Sequence, residues 1–424
     1  MQLQLQKQNA IMQPISNDTE LFAMAAPSIV RIPCQWNKLD CRPVVKAGQK
    51  VMKGEPVAVT EGVSVHSPLS GKVKEITTAD NCEGVPALTV VVEADEEGEA
   101  VTFTPYGDWE TTDRQTLYDY LQSAGIVTTY KDGITYVKAL PPPDAEITSV
   151  LLHGCSLSPD LEQGEDLPEM LHEAVSGLKI LMTLYPKAEL IWQSEKGSTL
   201  EKILSQFPQA RLLSETLTPF NIPMRAAMQQ VLGHTLVEGC SPMREGLLPV
   251  TFQQARAIYR AVSLGEPYME QLVRVEGNGV EQPGYYQVPL GVNLGDVLVA
   301  AGANEKLLAK VVVGCALNGT SVSRLDLPIG KSVSSILTFT HDEVFHYQNR
   351  PCIHCGRCYQ VCPQKLLPQK IAAYAEKQKW DLAEQEGVMF CGECGRCSFI
   401  CPARKPLLQL IELAKKMAAK SNIN

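Results

Sequence analysis

The chain lacks any run of ~18–20 uninterrupted apolar residues, the length a helix needs to cross a bilayer. Its N-terminus, MQLQLQKQNAIMQPISNDTE, lacks the apolar stretch of a secretory signal, so it reads as a polar leader on a cytoplasmic protein. Peripheral docking on the cytoplasmic face of a membrane stays open. There is no surplus of Lys and Arg: the formal net charge is −9, which argues against a general nucleic-acid binder. Aromatic residues make up only 6%, while the apolar fraction of 45% and charged fraction of 20% suit a globular chain. At 424 residues it is long enough for several domains. Cysteine is scarce over most of that length. Of the 14, eight lie between Cys352 and Cys401, and six are scattered before them. Such clustering points to metal rather than to an evenly stapled disulfide scaffold.

Four regions follow the leader at 1–24, giving an α+β multidomain chain. Residues 25–105 read as short strands broken by glycine. In VVKAGQKVMKGEPVAV and VSVHSPLSGKVKEI, turns are expected at Gly48, Gly54 and Gly71 between runs that alternate Val with polar residues. The pattern resembles the barrel-sandwich of lipoyl and biotinyl domains. The stretch equivalent to their modified hairpin tip, Thr60-Glu61-Gly62-Val63-Ser64, carries no Lys, so a purely structural barrel is expected. Residues 110–266 alternate strand and helix. Strands are expected at 150–154, 189–193 and 210–214, and amphipathic helices at 170–185 and 251–265. That alternation suggests a parallel sheet. Residues 268–345 turn β-rich again, with turn signals at Asn278-Gly279 and Pro283-Gly284 and a short helix from Leu294 to Ala301. Residues 346–424 hold the cysteine cluster and a terminal helix, LLQLIELAKKMAAK. Its Lys-rich end suits a helix C-terminus. A packed or solvated helix is expected there, the alternative being an amphipathic membrane anchor.

The cysteines form two copies of one pattern, C-x2-C-x2-C-x3-C-P. The first is Cys352, Cys355, Cys358, Cys362 and Pro363; the second is Cys391, Cys394, Cys397, Cys401 and Pro402. Three closely spaced thiolates suit one face of a 4Fe–4S cubane, and the fourth Cys ligates the other cluster. One cluster is therefore expected on Cys352, Cys355, Cys358 and Cys401, and the second on Cys391, Cys394, Cys397 and Cys362. Gly356 and Gly395 would let each loop turn tightly. Pro363 and Pro402 are expected to end the loop and start a helix. The competing arrangement, a pair of zinc ribbons, needs no third Cys two residues on and no Cys-Pro ending. Two all-Cys clusters favour serial one-electron transfer at the low end of the potential range over substrate activation.

This order of modules resembles the RnfC/RsxC family, the C subunits of Rnf ion-translocating electron transport complexes. The resemblance runs from about Ile29 to Lys416. It rests on VVKAGQKVMKGEPVAV, HSPLSGKVKEI, QARAIYRAVSLGEPYMEQLVRVEGNGVEQPGYYQVPLG and PCIHCGRCYQVCPQKLLPQ. It implies a β-grasp of the SLBB type at 268–345, a two-cluster ferredoxin-type helical domain at 346–424, and an α/β domain like the flavoprotein subunit of complex I. In the family that α/β domain binds FMN and NADH through a loop like GIVGLGGAGFPT. Here Gly125-Ile126-Val127 is followed by Thr128-Thr129-Tyr130-Lys131-Asp132-Gly133-Ile134, which removes most of the glycines that let amides approach phosphate. An NGAECEPY-like stretch becomes His153-Gly154-Cys155-Ser156-Leu157-Ser158-Pro159, without Glu, and an NVGT-like element becomes Phe252-Gln253-Gln254-Ala255. The expectation is a degenerate nucleotide site with neither FMN nor NADH.

The function expected is an RnfC-like electron-transfer protein, a carrier rather than a stand-alone enzyme, with no catalytic residue of its own. It would pass single electrons to or from a partner reductase, a ferredoxin or Rnf-like subunits. It is similar in this to the RnfC-like accessory protein of clostridial proline reductase. An NADH:acceptor oxidoreductase subunit is the alternative, and a ligand-sensing scaffold with structural clusters is a third. Cys155, Cys240 and Cys315 are expected to be small buried hydrophobes. Cys155 is the strongest candidate among them for a redox-active thiol, and His153 is expected to be a fold histidine rather than a ligand.

Overall fold

The computed structural model describes residues 21–421 apart from 37–38, 61, 83, 96–97, 102, 133, 154–166, 193–203, 206, 214–223, 235, 237–239, 305, 315 and 345–349. Near the N-terminus an antiparallel sheet runs in the order Ile29–Pro33, Pro86–Ala94, Gly71–Asp80, Lys50–Val51. A second, three-stranded sheet joins Arg42–Pro43, Pro56–Thr60 and Val63–His66. Val30, Ile32, Val57, Val65, Val73, Val90 and Val92 are buried in the same core. The alternating Val pattern thus aims one side of each strand inward. Gly71 lets two strands approach closely: a Cβ there would collide with the Glu93 carbonyl. The hairpin at the expected tip pairs Thr60 with Val63, and Glu61 lies outside the described residues.

The α/β region is built on a parallel sheet in the order Ala210–Leu212, Glu189–Trp192, Ser149–His153, Leu247–Thr251. The first three strands fall where the alternation of strand and helix put them, and the fourth was not foreseen. Helices Leu167–Leu184 and Phe252–Leu264 pack on each other. Gly177 permits this, because a Cβ there would strike the Ala255 carbonyl. The pair is tied by Glu173, buried and bound to Arg256 at 2.6 Å and Arg260 at 3.2 Å.

The β-rich stretch forms a mixed six-stranded sheet in the order Leu21–Ala23, Gly284–Pro289, Glu270–Gly277, Ser335–Thr340, Leu308–Val313, Thr320–Val322. Its helix is Leu294–Ala300. The outermost strand corrects the reading of 1–24 as leader throughout. Leu21–Ala23 pairs in parallel with Gly284–Pro289, and the Phe22 ring stacks on Tyr286 at 4.9 Å. Apolar surface at the end of a polar segment is covered by a distant strand, a contact that no local periodicity encodes.

Three regions meet around one buried polar pair. His66, at the end of its strand, is fully enclosed. The Lys331 ammonium donates to the Gly125 carbonyl at 2.6 Å and lies 4.8 Å from the centre of the Tyr268 ring. A Cβ on Gly125 would come within 3.2 Å of both the Lys331 Nζ and the His66 Nδ1. Burial first, and then the Lys331 charge, pull the His66 pKa from 6.5 down to about 3, so the ring is neutral in the folded chain. Between about pH 3 and 6.5 the unfolded chain binds a proton there that the folded chain refuses. Stability therefore falls as pH falls through that window, by up to about 1.4 kcal/mol per pH unit. On going from pH 7.5 down to pH 5, the melting temperature should drop more steeply for the wild type than for His66→Gln; equal slopes would show that His66 is not held neutral.

Candidate metal centre

Each cysteine motif folds in the same way, and the reasons are local. In the first, His354 (φ 53°) and Gly356 (φ 74°) take the left-handed conformation between the ligand cysteines. In the second, Glu393 (φ 49°) and Gly395 (φ 74°) do so at the same positions. Left-handed residues reverse the chain sharply and turn successive amides inward. The His354 amide donates to Cys352 Sγ at 3.4 Å and the Glu393 amide to Cys391 Sγ at 3.4 Å. One turn of helix follows in each, Arg357–Gln360 and Arg396–Phe399, carrying the third cysteine, Cys358 or Cys397, which is buried. That turn takes the fourth cysteine away from the first three.

The prolines differ from expectation. Pro363 and Pro402 open turns rather than helices, closed by Lys365 N–H on the Cys362 carbonyl at 3.1 Å and Arg404 N–H on the Cys401 carbonyl at 3.0 Å. Lys365 (φ 52°) and Arg404 (φ 53°) are left-handed as well, which a helix start does not allow. The helices begin further on, at Pro368–Glu376 and Leu407–Ser421. Proline fixes φ for the second position of a turn as well as for a first helical residue. The terminal helix packs its inner face, with Leu407, Ile411 and Ala414 in the small core that also holds Cys358 and Cys397. Among the described residues no helix is long and apolar enough to cross a membrane.

The fold brings Cys352, Cys355, Cys358 and Cys401 around one cavity of ≈ 80 Å³, whose wall also includes Gln369 and Lys405. Gln369 Oε1 accepts from the Cys358 thiol at 3.0 Å. Cys362 lies instead beside the second motif, close enough to raise the pKa of both Cys394 and Cys397. Among the described residues no three His, Cys, Asp or Glu side chains gather around a single ion. The thiols surround a volume. Burial pushes the Cys391 thiol up to about 12, opposed by the Glu393 amide and the Lys415 ammonium, and it raises Cys394, Cys397 and Cys358 as well. Thiols held protonated by desolvation need a cationic centre to become thiolates, which iron supplies. The donor set fits an iron–sulfur cluster.

The two groups sit in different surroundings. The first opens to solvent, with Cys355 exposed. The second is packed against the rest of the chain. Gly392 lies 3.0 Å, in Cβ terms, from the buried Arg225, and Gln364 donates to Gln229 at 3.0 Å. A Cβ on Gly395 would collide with the Leu317 carbonyl. Lys415, buried, binds Glu393 at 2.8 Å and the Cys391 carbonyl at 2.9 Å. Sequence reasoning missed this asymmetry, and its one signal was Glu393 standing where the first motif has His354.

Elsewhere the expected loop of Thr128 to Ile134 is a β-hairpin, Val127–Asp132 against Ile134–Ala139, with Gly133 outside the described residues. The Thr128 hydroxyl donates to the Pro249 carbonyl, and Gln254 Nε2 donates to Thr129 Oγ1 at 2.5 Å. Phe252-Gln253-Gln254-Ala255 begins a helix closed by its own capping box. Thr251 N–H donates to Gln254 Oε1 at 2.8 Å and Gln254 N–H to Thr251 Oγ1 at 3.3 Å. His153 ends its strand; 154–159, with Cys155, and Cys315 lie outside the described residues. Cys240 is exposed, against its reading as a buried hydrophobe, while Cys34, Cys41 and Cys82 are buried.

Residues 9–97 match the RnfC barrel sandwich hybrid domain and residues 345–402 a 4Fe-4S dicluster domain. Together these define a multidomain iron–sulfur protein. The C subunit of the Na(+)-translocating ferredoxin:NAD(+) oxidoreductase complex of Acetobacterium woodii is 29% identical over 405 residues, 92% of this chain and 91% of that one. The C subunit of the ion-translocating oxidoreductase complex of Methanosarcina acetivorans is 29% identical over 90% of each chain. Its counterpart in Rhodobacter capsulatus is 26% identical over 95% of this chain and 80% of that one. Along about nine-tenths of its length the chain is thus similar to C subunits of the RnfC/RsxC family.

The two loop glycines offer a test of the packing. Both pay the left-handed penalty on gaining a Cβ, roughly 1–2 kcal/mol. Gly356→Ala meets nothing within 4 Å, whereas Gly395→Ala also meets the Leu317 carbonyl. Gly395→Ala should lower the melting temperature more; equal losses would mean that the second motif is not seated against Leu317.

Proposed function

We propose that this chain is an iron–sulfur electron-transfer subunit that passes single electrons between redox partners through two 4Fe–4S clusters, without a flavin or nicotinamide site of its own. The single observation that carries the reading is the cavity walled by Cys352, Cys355, Cys358 and Cys401, three thiols of one motif with the fourth of the other. Cys391, Cys394, Cys397 and Cys362 are the second set, supported by the electrostatic proximity of Cys362 to Cys394 and Cys397. When bound, each cluster supplies a reversible one-electron couple, set low by four anionic ligands. The chain's own residues aim amides at sulfur, exclude water from Cys358 and Cys397, and set Lys415 beside the second group.

The domain scheme of 25–105, 110–266, 268–345 and 346–424 belongs to the same reading. The third of these is an SLBB-like β-grasp, on the strength of its mixed sheet and single helix. The α/β region does not suit a nucleotide. A phosphate cradle needs free amides at a helix N-terminus with no side chain in the way. Here the Thr251 and Gln254 amides at the start of the Phe252–Leu264 helix are taken by each other's side chains, and Thr129 accepts from Gln254 Nε2. The partners are redox proteins of the kind found in Rnf-type complexes, and the attachment to any membrane is peripheral. A second reading, an NADH:acceptor oxidoreductase subunit, is favoured by the packing of the second cysteine group against the parallel-sheet region at Arg225 and Gln229.

Anaerobically purified protein should contain about eight iron and eight acid-labile sulfide per chain and no stoichiometric flavin on extraction. Bound zinc without sulfide would end the cluster reading, and one flavin per chain would favour the second. Cys362→Ser should abolish or broaden the EPR signal of the group held by Cys391, Cys394 and Cys397 and spare the other; loss of the other signal would reverse the ligand sets.

A further inference from the structure

The terminal helix Leu407–Ser421 buries Leu407, Ile411, Ala414 and Ala418. Lys415, one helical turn after Ile411, lies among them and is 3% exposed. Apolar periodicity calls for a hydrophobic residue at such a position. The Lys415 ammonium donates instead to the Cys391 carbonyl at 2.9 Å and binds Glu393, itself buried, at 2.8 Å. A buried ion pair gains little stability over apolar side chains of the same size, so packing does not account for it. It does fix one positive and one negative charge beside the second cysteine group. The two do not cancel there. Burial is the largest influence on the Cys391 thiol, followed by the Glu393 amide; of the two charges, the Lys415 ammonium outweighs the Glu393 carboxylate. The first group is arranged differently. His354, at the position equivalent to Glu393, is exposed, and Lys405 in the cavity wall binds Glu376 at 2.7 Å.

We propose that Lys415 and Glu393 set the reduction potential of the second cysteine group, Lys415 raising it and Glu393 lowering it, with the ammonium offsetting the burial of that group. This rests on the electron-transfer reading above and adds to it the residues that decide how electrons divide between the two groups. In the step concerned, one electron leaves the first group, which is oxidised, and enters the second, which is reduced; no bond forms or breaks. The electron adds one negative charge to a centre that four thiolates already make anionic. Burial opposes that charge and an enclosed cation favours it. By burial alone the second group would be the harder of the two to reduce. Lys415 narrows the gap, and salt screens an enclosed charge of this kind only weakly. Both residues are positioning residues here, acting on the group through the field at Cys391.

The test is an anaerobic redox titration of the full chain with dithionite, followed by EPR, with the signal lost in Cys362→Ser marking the second group. Lys415→Met should make the second group harder to reduce by at least about tenfold in the equilibrium, about 59 mV for one electron, and leave the first group's midpoint in place. Glu393→Gln should move the second midpoint the other way, upward. Lys415→Arg, which keeps the charge, should leave it near wild type. Opposite signs from the two partners are what a purely structural ion pair would not produce. Should Lys415→Met fail to retain iron, the sign of the Glu393→Gln shift decides alone. A second midpoint that Glu393→Gln leaves unmoved or lowers, or one that both variants move in the same direction, would overturn the tuning proposal. Absence of any reversible one-electron couple in the wild type would overturn the electron-transfer reading beneath it.

Discussion

The exchange of fourth cysteines between two short motifs is the constraint on which the C-terminal region depends. Cys401 stands with Cys352, Cys355 and Cys358, and Cys362 with Cys394 and Cys397. Neither motif can complete its set without the other, so two segments separated by the Pro368–Glu376 and Trp380–Gln385 helices must fold against each other. The core between them is small: Ile371, Ala372, Ala375, Ala383 and Val388, with Leu407, Ile411 and Ala414 of the terminal helix. Alanine buries little surface, and a region of this size gains little from its hydrophobic core alone. In the proposed function, clusters ligated from both motifs would supply the cross-links that the core does not.

That pseudo-symmetric unit is then placed asymmetrically. Glu393 in the second motif pairs with buried Lys415, while the equivalent His354 in the first is exposed. Gly395 lets the second motif lie against Leu317, where a Cβ would strike the carbonyl, and Gly392 fits closely against the Arg225 side chain. One group thus faces the body of the protein and one faces solvent, which is the arrangement a serial electron path needs.

Much of this was legible in the sequence, and the limits have physical causes. The iron–sulfur character of the C-terminal region was legible because C-x2-C-x2-C-x3-C-P is a cluster-binding spacing, and residues 345–402 match a 4Fe-4S dicluster domain. The helices at 167–184 and 252–264 follow their apolar periodicity. The prolines misled because one fixed φ serves both a turn and a helix start. The strand Leu21–Ala23 and the enclosure of His66 by Lys331 depend on contacts between distant segments, and neither leaves a local pattern. The altered loop at Thr128 could be read as a loss of glycines. Its replacement by a hairpin locked onto Pro249 and Gln254 could not, because those partners lie far along the chain.

The nucleotide question carries the most weight, because the proposed function has no flavin or nicotinamide site. The capping box engages the Thr251 and Gln254 amides, and Thr129 of the hairpin holds the Gln254 side chain. Rapid anaerobic mixing of the purified chain with NADH, followed at the absorbance of the iron–sulfur clusters, tests this directly. The account predicts no bleaching by NADH and full bleaching by dithionite. Fast bleaching by NADH alone, with no partner protein present, would contradict it.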